Sequence, residues 1–232
     1  MDLILLLRWG HQLALGTAVT VALALATLPF GLVFGLAAAL AKVSKSAALR
    51  ATGEAYTTIF RGLPELLTLL LIYYGSQILT QNLADWTGLP VTINISPFMA
   101  GVIALSLVFG AYSSEVFLGA LRGVERAQIE CARSFGMSPA LVFRRVTAPQ
   151  MFRIALPGLG NNWLVLLKDT SLVSVIALDD LLRMTSIAVE STRKPFEFYA
   201  VACTIYLAMT AISTLAISRM ERHARYGWSQ AA

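Results

Sequence analysis

Four stretches of this chain, Leu13 to Ala41, Leu66 to Ala84, Trp86 to Ser114 and Phe198 to Ser218, contain no Asp, Glu, Lys, Arg or His. A helix rises 1.5 Å per residue, so about 20 apolar residues cross the roughly 30 Å hydrocarbon layer of a bilayer. Each stretch can supply one such crossing. A fifth candidate, Ile154 to Leu178, is interrupted only by Lys168 and Asp169. Charged residues make up 13% of the 232 residues, where soluble domains carry about 25%. The expected class is therefore all-α: a polytopic membrane protein with five transmembrane helices, forming a single domain over residues 1–232. The first apolar run is too long for the core of a signal peptide, and Asp2 stands where such a peptide carries positive charge. It reads as a retained helix.

The bias of Lys and Arg between loops sets the orientation of such a bundle. Lys42, Lys45, Arg50, Arg122, Arg126, Arg133, Arg144, Arg145, Arg153, Arg219, Arg222 and Arg225 fall on one side, against Arg8, Arg183, Arg193 and Lys194 on the other. Twelve against four places the N-terminus outside, the C-terminus inside and the polar loop 123–149 in the cytoplasm. The net charge of +5 is then topogenic and needs no nucleic-acid partner. On the outer side, Leu181, Leu182, Thr185 and Ala188 fall near helical spacing and predict a short amphipathic helix. Cys131 and Cys203 give no disulfide or metal framework, and His11 and His223 have no companions at ligand spacing.

The loop 123–149 is ordered by its own residues. Ser138 can cap a helix that begins at Pro139, and Gly136 can take the positive φ that ends the helix before it. The result is helix, sharp turn, helix. Ile129, Ala132 and Phe135 share a face of the first, while Leu141, Val142 and Val146 can pack the second back on the bundle.

These residues resemble the signature loop of ABC importer permeases, which runs Glu-Ala-Ala, three residues, Gly, nine residues, then Ile-x-Leu-Pro. Here the pattern stands as Glu130-Cys131-Ala132, Gly136 and Val146-Thr147-Ala148-Pro149, with both spacings intact. Tyr56-Thr57-Thr58-Ile59-Phe60-Arg61-Gly62-Leu63-Pro64, Ala155-Leu156-Pro157-Gly158-Leu159-Gly160-Asn161-Asn162-Trp163 and Leu167-Lys168-Asp169-Thr170-Ser171-Leu172 are similar to the polar-amino-acid branch, close to the histidine, basic-amino-acid and opine permeases. The resemblance implies a type I permease fold whose loop enters a groove of a separate ATPase, with Glu130, Ala132, Gly136 and Pro149 as coupling residues. It implies a second permease subunit, identical or homologous, two ATPase subunits that bind ATP and Mg, and a periplasmic solute-binding protein. The chain itself then carries no cofactor, metal or catalytic residue. No G-x-x-x-x-G-K-[ST] phosphate loop occurs in it.

Lys168 and Asp169 interrupt an otherwise apolar span. Two ionised groups at a helix centre cost about 5–7 kcal/mol on an insertion scale, and the apolar residues of Ile154 to Leu178 return roughly 4–7. The span is marginal alone and must face neighbours or water. Ionisable groups in such places mark transport sites by default, so Lys168 and Asp169 are candidates for the substrate path with Arg61, Glu115, Asn161 and Asn162. A structural ion pair of the Lys168-Asp169 pair with Glu115 or Arg61 is the other reading. Pro64 is expected to interrupt span two, and Pro157-Gly158 with Gly160 the start of span four. Such breaks either line a path or permit close helix packing. Arg61, Glu65, Glu115, Lys168 and Asp169 together offer partners for both ends of a zwitterionic amino acid. An ion-gradient-driven transporter or channel using Lys168, Asp169 and Glu115 is the alternative, and it leaves the loop without a purpose.

Overall fold

The computed structural model describes residues 3–87 and 95–225. Nine α-helices and no strand occur among them: α1 (Leu3–Lys42), α2 (Ala47–Gly62), α3 (Glu65–Thr87), α4 (Pro97–Gly123), α5 (Arg126–Ser134), α6 (Pro139–Val142), α7 (Ala148–Asp169), α8 (Leu181–Thr192) and α9 (Pro195–Arg225). Ser46, Ser96 and Ser138 stand at the N-caps of α2, α4 and α6 and accept from Leu49, Met99 and Leu141 N–H. Pro97 and Pro139 open α4 and α6 where no N–H is needed.

Three helical segments, Arg8–Lys42, Pro97–Gly123 and Pro195–Ala224, are long and apolar enough to cross a membrane, and α2 with α3 makes a fourth if that bent pair is one span. The third apolar run does not become one helix. Trp86 lies in the last turn of α3 and α4 starts at Pro97. Helix α7 carries Arg153, Asn161, Asn162, Lys168 and Asp169 and does not meet the same measure of length and apolar character.

Helix α1 packs along α4, with small residues at the crossing. A Cβ on Gly35 would stand 3.0 Å from the Gly110 carbonyl, and one on Gly110 would stand 2.6 Å from the Tyr56 hydroxyl, which donates to Leu107 O at 2.7 Å. The apolar core forms three clusters. Leu23, Leu69, Leu105, Phe109, Leu166 and Val173 join α1, α3, α4 and α7 with its continuation. Ala39, Phe117, Met151 and Ala155 fill the Lys42 end. Leu13, Leu181, Ala188 and Phe198 seat α8 between α1 and α9.

The two prolines act differently from the expectation. Pro64 sits at a corner, not inside a helix: Leu63 before it is extended at φ −95° and ψ 143°, as a residue preceding proline favours, and α2 meets α3 at 104°. Pro157 leaves α7 unbroken from Ala148 to Asp169. The helix changes further on, tightening into a 3₁₀ turn over Thr170–Ile176. Gly158 and Gly160 serve close approach, since a Cβ on them would stand 2.7 Å from Val116 and 2.6 Å from Ile217.

The amphipathic helix forms as α8. Leu181, Thr185 and Ala188 are buried, and Leu182 is half-buried. Its cap is Asp180, whose carboxylate accepts from Arg183 N–H at 2.9 Å, while Leu181 N–H donates to Thr20 Oγ1 on α1 at 3.1 Å.

Candidate functional site

The corner at Pro64 determines which polar groups meet. Arg61 lies in the last turn of α2 and Glu65 in the first turn of α3, so a 104° bend brings both to one place beside α4. There α4 offers Tyr112 and Glu115, one turn apart on one face. The Tyr112 hydroxyl donates to Glu65 Oε1 at 3.4 Å, and the Arg61 guanidinium lies 5.7 Å from the centre of the Tyr112 ring, within cation–π range.

Beside them is a cavity of about 300 Å³ lined by Glu65 and Tyr112, by Asn161, Asn162, Val165 and Asp169 of α7, and by apolar residues of α4 and α7. Asn162, Val165 and Asp169 repeat at helical spacing and place one stripe of α7 on it. Asn162 Nδ2 donates to Ser113 Oγ at 3.4 Å, and Ser113 is fully buried. The lining holds two carboxylates and two amides and no Lys or Arg. Such a chamber favours a ligand with a cationic group and hydrogen-bond donors.

An ionic cluster adjoins the cavity. Glu115 Oε1 takes Lys42 Nζ at 2.6 Å and Arg61 Nη1 at 3.1 Å, and Lys42 also lies 3.6 Å from Glu54. The Lys42 side chain is 2% exposed, whereas that of Arg61 is 44% exposed. This pairing corrects the expected ion pair. Glu115 bonds to both Arg61 and Lys42, and among the described residues neither Glu115 nor Arg61 pairs with Lys168 or Asp169 of α7. The adjacent pair diverges as helix geometry requires: Asp169 lines the cavity and Lys168 is exposed.

Of the path candidates, the structure brings Asn161, Asn162 and Asp169 to the cavity wall and Arg61 and Glu115 to the corner beside it. Lys168 stands apart. Tyr112 and Lys42 are participants that the sequence did not single out. Lys42 reads as one loop charge among many, because nothing near it in sequence announces a carboxylate 73 residues away. Among the described residues no cluster of His, Cys, Asp or Glu could hold a metal.

The loop follows its own local signals. Gly136 has φ +76° between α5 and α6. Ala132 and Val142 are buried, Leu141 and Val146 half-buried, and a π turn over Phe143–Thr147 leads to Pro149 in the first turn of α7. Phe135 departs from the expected shared face: it ends α5 and is 80% exposed. Glu130 is exposed and makes no ion pair among the described residues.

Residues 31–225 match the family described as binding-protein-dependent transport system inner membrane component. The chain is 42% identical over 205 residues to the octopine transport system permease protein OccQ of Rhizobium radiobacter, covering 88% of this chain and 86% of the relative. It is 41% identical over 216 residues to the histidine/lysine/arginine/ornithine transport system permease protein HisQ of Salmonella typhimurium, covering 93% and 94%. The crystal structure of an amino acid ABC transporter with histidines superposes with a TM-score of 0.81 at 33% identity, over 96% of this chain and 99% of that one. With its fold and four-fifths of its length matched, the chain belongs to the family of binding-protein-dependent inner membrane transport components, and its all-helical bundle is a type I ABC permease fold.

Proposed function

We propose that this chain is the permease subunit of an ATP-driven importer for polar amino acids with a cationic side chain, such as arginine, lysine, ornithine or histidine, and related opines. The observation that carries the reading is the cavity between α3, α4 and α7, which sets Glu65 and Asp169 within it and Arg61 at its lip. The two acids receive the ammonium or guanidinium groups, the amides of Asn161 and Asn162 align the ligand, and Arg61 attracts the α-carboxylate. A fixed arrangement of this kind substitutes for the water that the solute loses on entry. The similarity to permeases named for octopine and for histidine, lysine, arginine and ornithine supports the same substrate class.

Five crossings fit the element order: α1, the bent α2–α3 pair, α4, α7 with its 3₁₀ extension, and α9. The basic loops then put the N-terminus outside, the C-terminus and loop 123–149 in the cytoplasm, and α8 on the outer surface of a bacterial inner membrane. The exposed Lys168, which stands apart from the cavity, faces a second permease subunit that closes the path. Loop 123–149 engages an ATPase subunit, where Phe135 inserts, Gly136 sets the angle, Glu130 meets the partner and the buried Ala132 with Pro149 ties the lever to the bundle. ATP and Mg are bound and used on two such ATPase subunits, and a solute-binding protein delivers substrate from outside. This chain performs no chemical step.

Reconstitution of the complex in proteoliposomes with its ATPase and binding protein tests the reading. ATP-dependent uptake of arginine or lysine is expected, with the rate reduced about tenfold or more by Glu65→Gln or Asp169→Asn, as loss of a charge-assisted contact implies. Uptake that follows a proton gradient without ATP, or is indifferent to both substitutions, overturns it.

A further inference from the structure

Lys42 is an unusual placement for a lysine. Its side chain is 2% exposed at the end of the long, largely apolar α1, and it shares a single carboxylate oxygen with Arg61. One cation would neutralise Glu115, yet two converge on Oε1, the buried one at 2.6 Å and the exposed one at 3.1 Å. The exposed member is the one that stacks on Tyr112, a wall residue of the cavity. The two cations therefore have unequal tasks.

We infer that Lys42 is a positioning residue for substrate recognition: it occupies Glu115 so that Arg61 keeps positive charge to offer the cavity. The inference rests on the amino-acid reading above and adds the residue that makes its carboxylate end work. A guanidinium facing a lone carboxylate would close onto it as a two-pronged pair, since that fork matches a carboxylate. Its charge would then be satisfied within the protein. With Lys42 already on Oε1, closing the fork gains less, and Arg61 stays over the Tyr112 ring. The arrangement also lets Arg61 shift toward a substrate carboxylate without orphaning Glu115, which Lys42 continues to neutralise. The buried Lys42 is the fixed member of the pair and the exposed Arg61 the one free to move. Glu54, 62% exposed, contributes only a peripheral contact to Lys42 at 3.6 Å.

The test compares binding of arginine with that of agmatine, the same guanidine without the carboxylate, to the assembled permease–ATPase complex in nanodiscs. Wild type prefers arginine. Lys42→Met lets Arg61 collapse onto Glu115, and the preference falls about tenfold while agmatine affinity is unchanged. Lys42→Arg retains the preference. The neutral pair Lys42→Met with Glu115→Gln frees Arg61 again and recovers it, and because no charge is orphaned this variant carries the test should Lys42→Met alone not assemble. A preference unchanged in Lys42→Met, equal losses for both ligands, or no recovery in the pair overturns the inference. Binding of neither ligand by wild type overturns the amino-acid reading instead, and a wild-type preference that Arg61→Gln leaves intact overturns the role of Arg61 on which both depend.

Discussion

The loop 123–149 and the corner around Glu115 both set polar groups into an oily chain, and they are built in opposite ways. The loop is held by neighbours in sequence: Ser138 accepts from Leu141 N–H, Gly136 turns at φ +76°, and its tip residue Phe135 is 80% exposed. The corner is held by residues far apart, with Lys42 and Glu115 separated by 73 positions and one of them almost wholly buried. A loop held by its own caps and turns keeps a fixed shape with few ties to the bundle. A charge group with a buried member keeps its place by pairing across helices.

Breaking the corner should have the larger effect. Among the described residues, Glu115→Leu leaves the buried Lys42 with only Glu54, and Arg61 with no carboxylate in an ion pair. Removing one member of a buried pair typically destabilises by about 3–5 kcal/mol. The expectation here is the lower part of that range, because Glu54 remains and Glu115 is itself 36% exposed. A thermal midpoint in detergent that stays within a degree or two of wild type would show that the corner adds nothing to stability.

Breaking the loop should separate the two regions. Gly136→Val forces a β-branched residue into the left-handed region, which is disfavoured by roughly 1–2 kcal/mol even without branching. No heavy atom lies within 4 Å of the Cβ position, so the strain is purely local and assembly survives. ATP hydrolysis is expected to continue while uptake falls, by tenfold or more if the lever angle matters as proposed. Coupled transport at the wild-type rate would remove the mechanical role of Gly136 and leave the corner untouched.

This contrast also explains what could be read in the sequence. The apolar runs of α1 and α9, the Ser138 cap, the amphipathic spacing of α8 and the left-handed Gly136 depend on residues a few positions apart, and all appear in the structure. The corner depends on the third dimension. Pro64 announced a break but not a 104° bend, and only that bend brings Arg61 and Glu65 together beside Tyr112. Lys168 and Asp169 looked equivalent in sequence. Packing of α7 turns one to the cavity and leaves the other exposed. Lys42 was legible as a basic residue at the end of an apolar run, and its burial was not, because its carboxylate partner, Glu115, is supplied by another helix 73 positions away.

The smallest effect belongs to a second buried polar group, at the start of α8, and it extends the comparison to the outer end of the bundle. Asp180 is fully buried in the connection ahead of α8, and its Oδ2 has no partner among the described residues. Burial pushes its carboxyl up from 3.8 to about 6, against the opposing pull of the Arg183 and Leu182 backbone N–H groups. A carboxyl raised in the folded state penalises that state when ionised. The penalty is absent well below pH 3.8, grows as pH rises, and is complete above about 6. Asparagine caps a helix as well as aspartate does, so Asp180→Asn should keep α8 in place and remove only the charge. A gain of about 1 kcal/mol, roughly a fivefold change in the folding equilibrium, is expected at pH 7.5 and little at pH 4. The check is the thermal midpoint of both forms across that range. A gain of the same size at both pH values would trace the effect to packing rather than to the carboxylate, and a loss at pH 7.5 would mean that the ionised Asp180, like Glu115, has a cation or donor holding it in place.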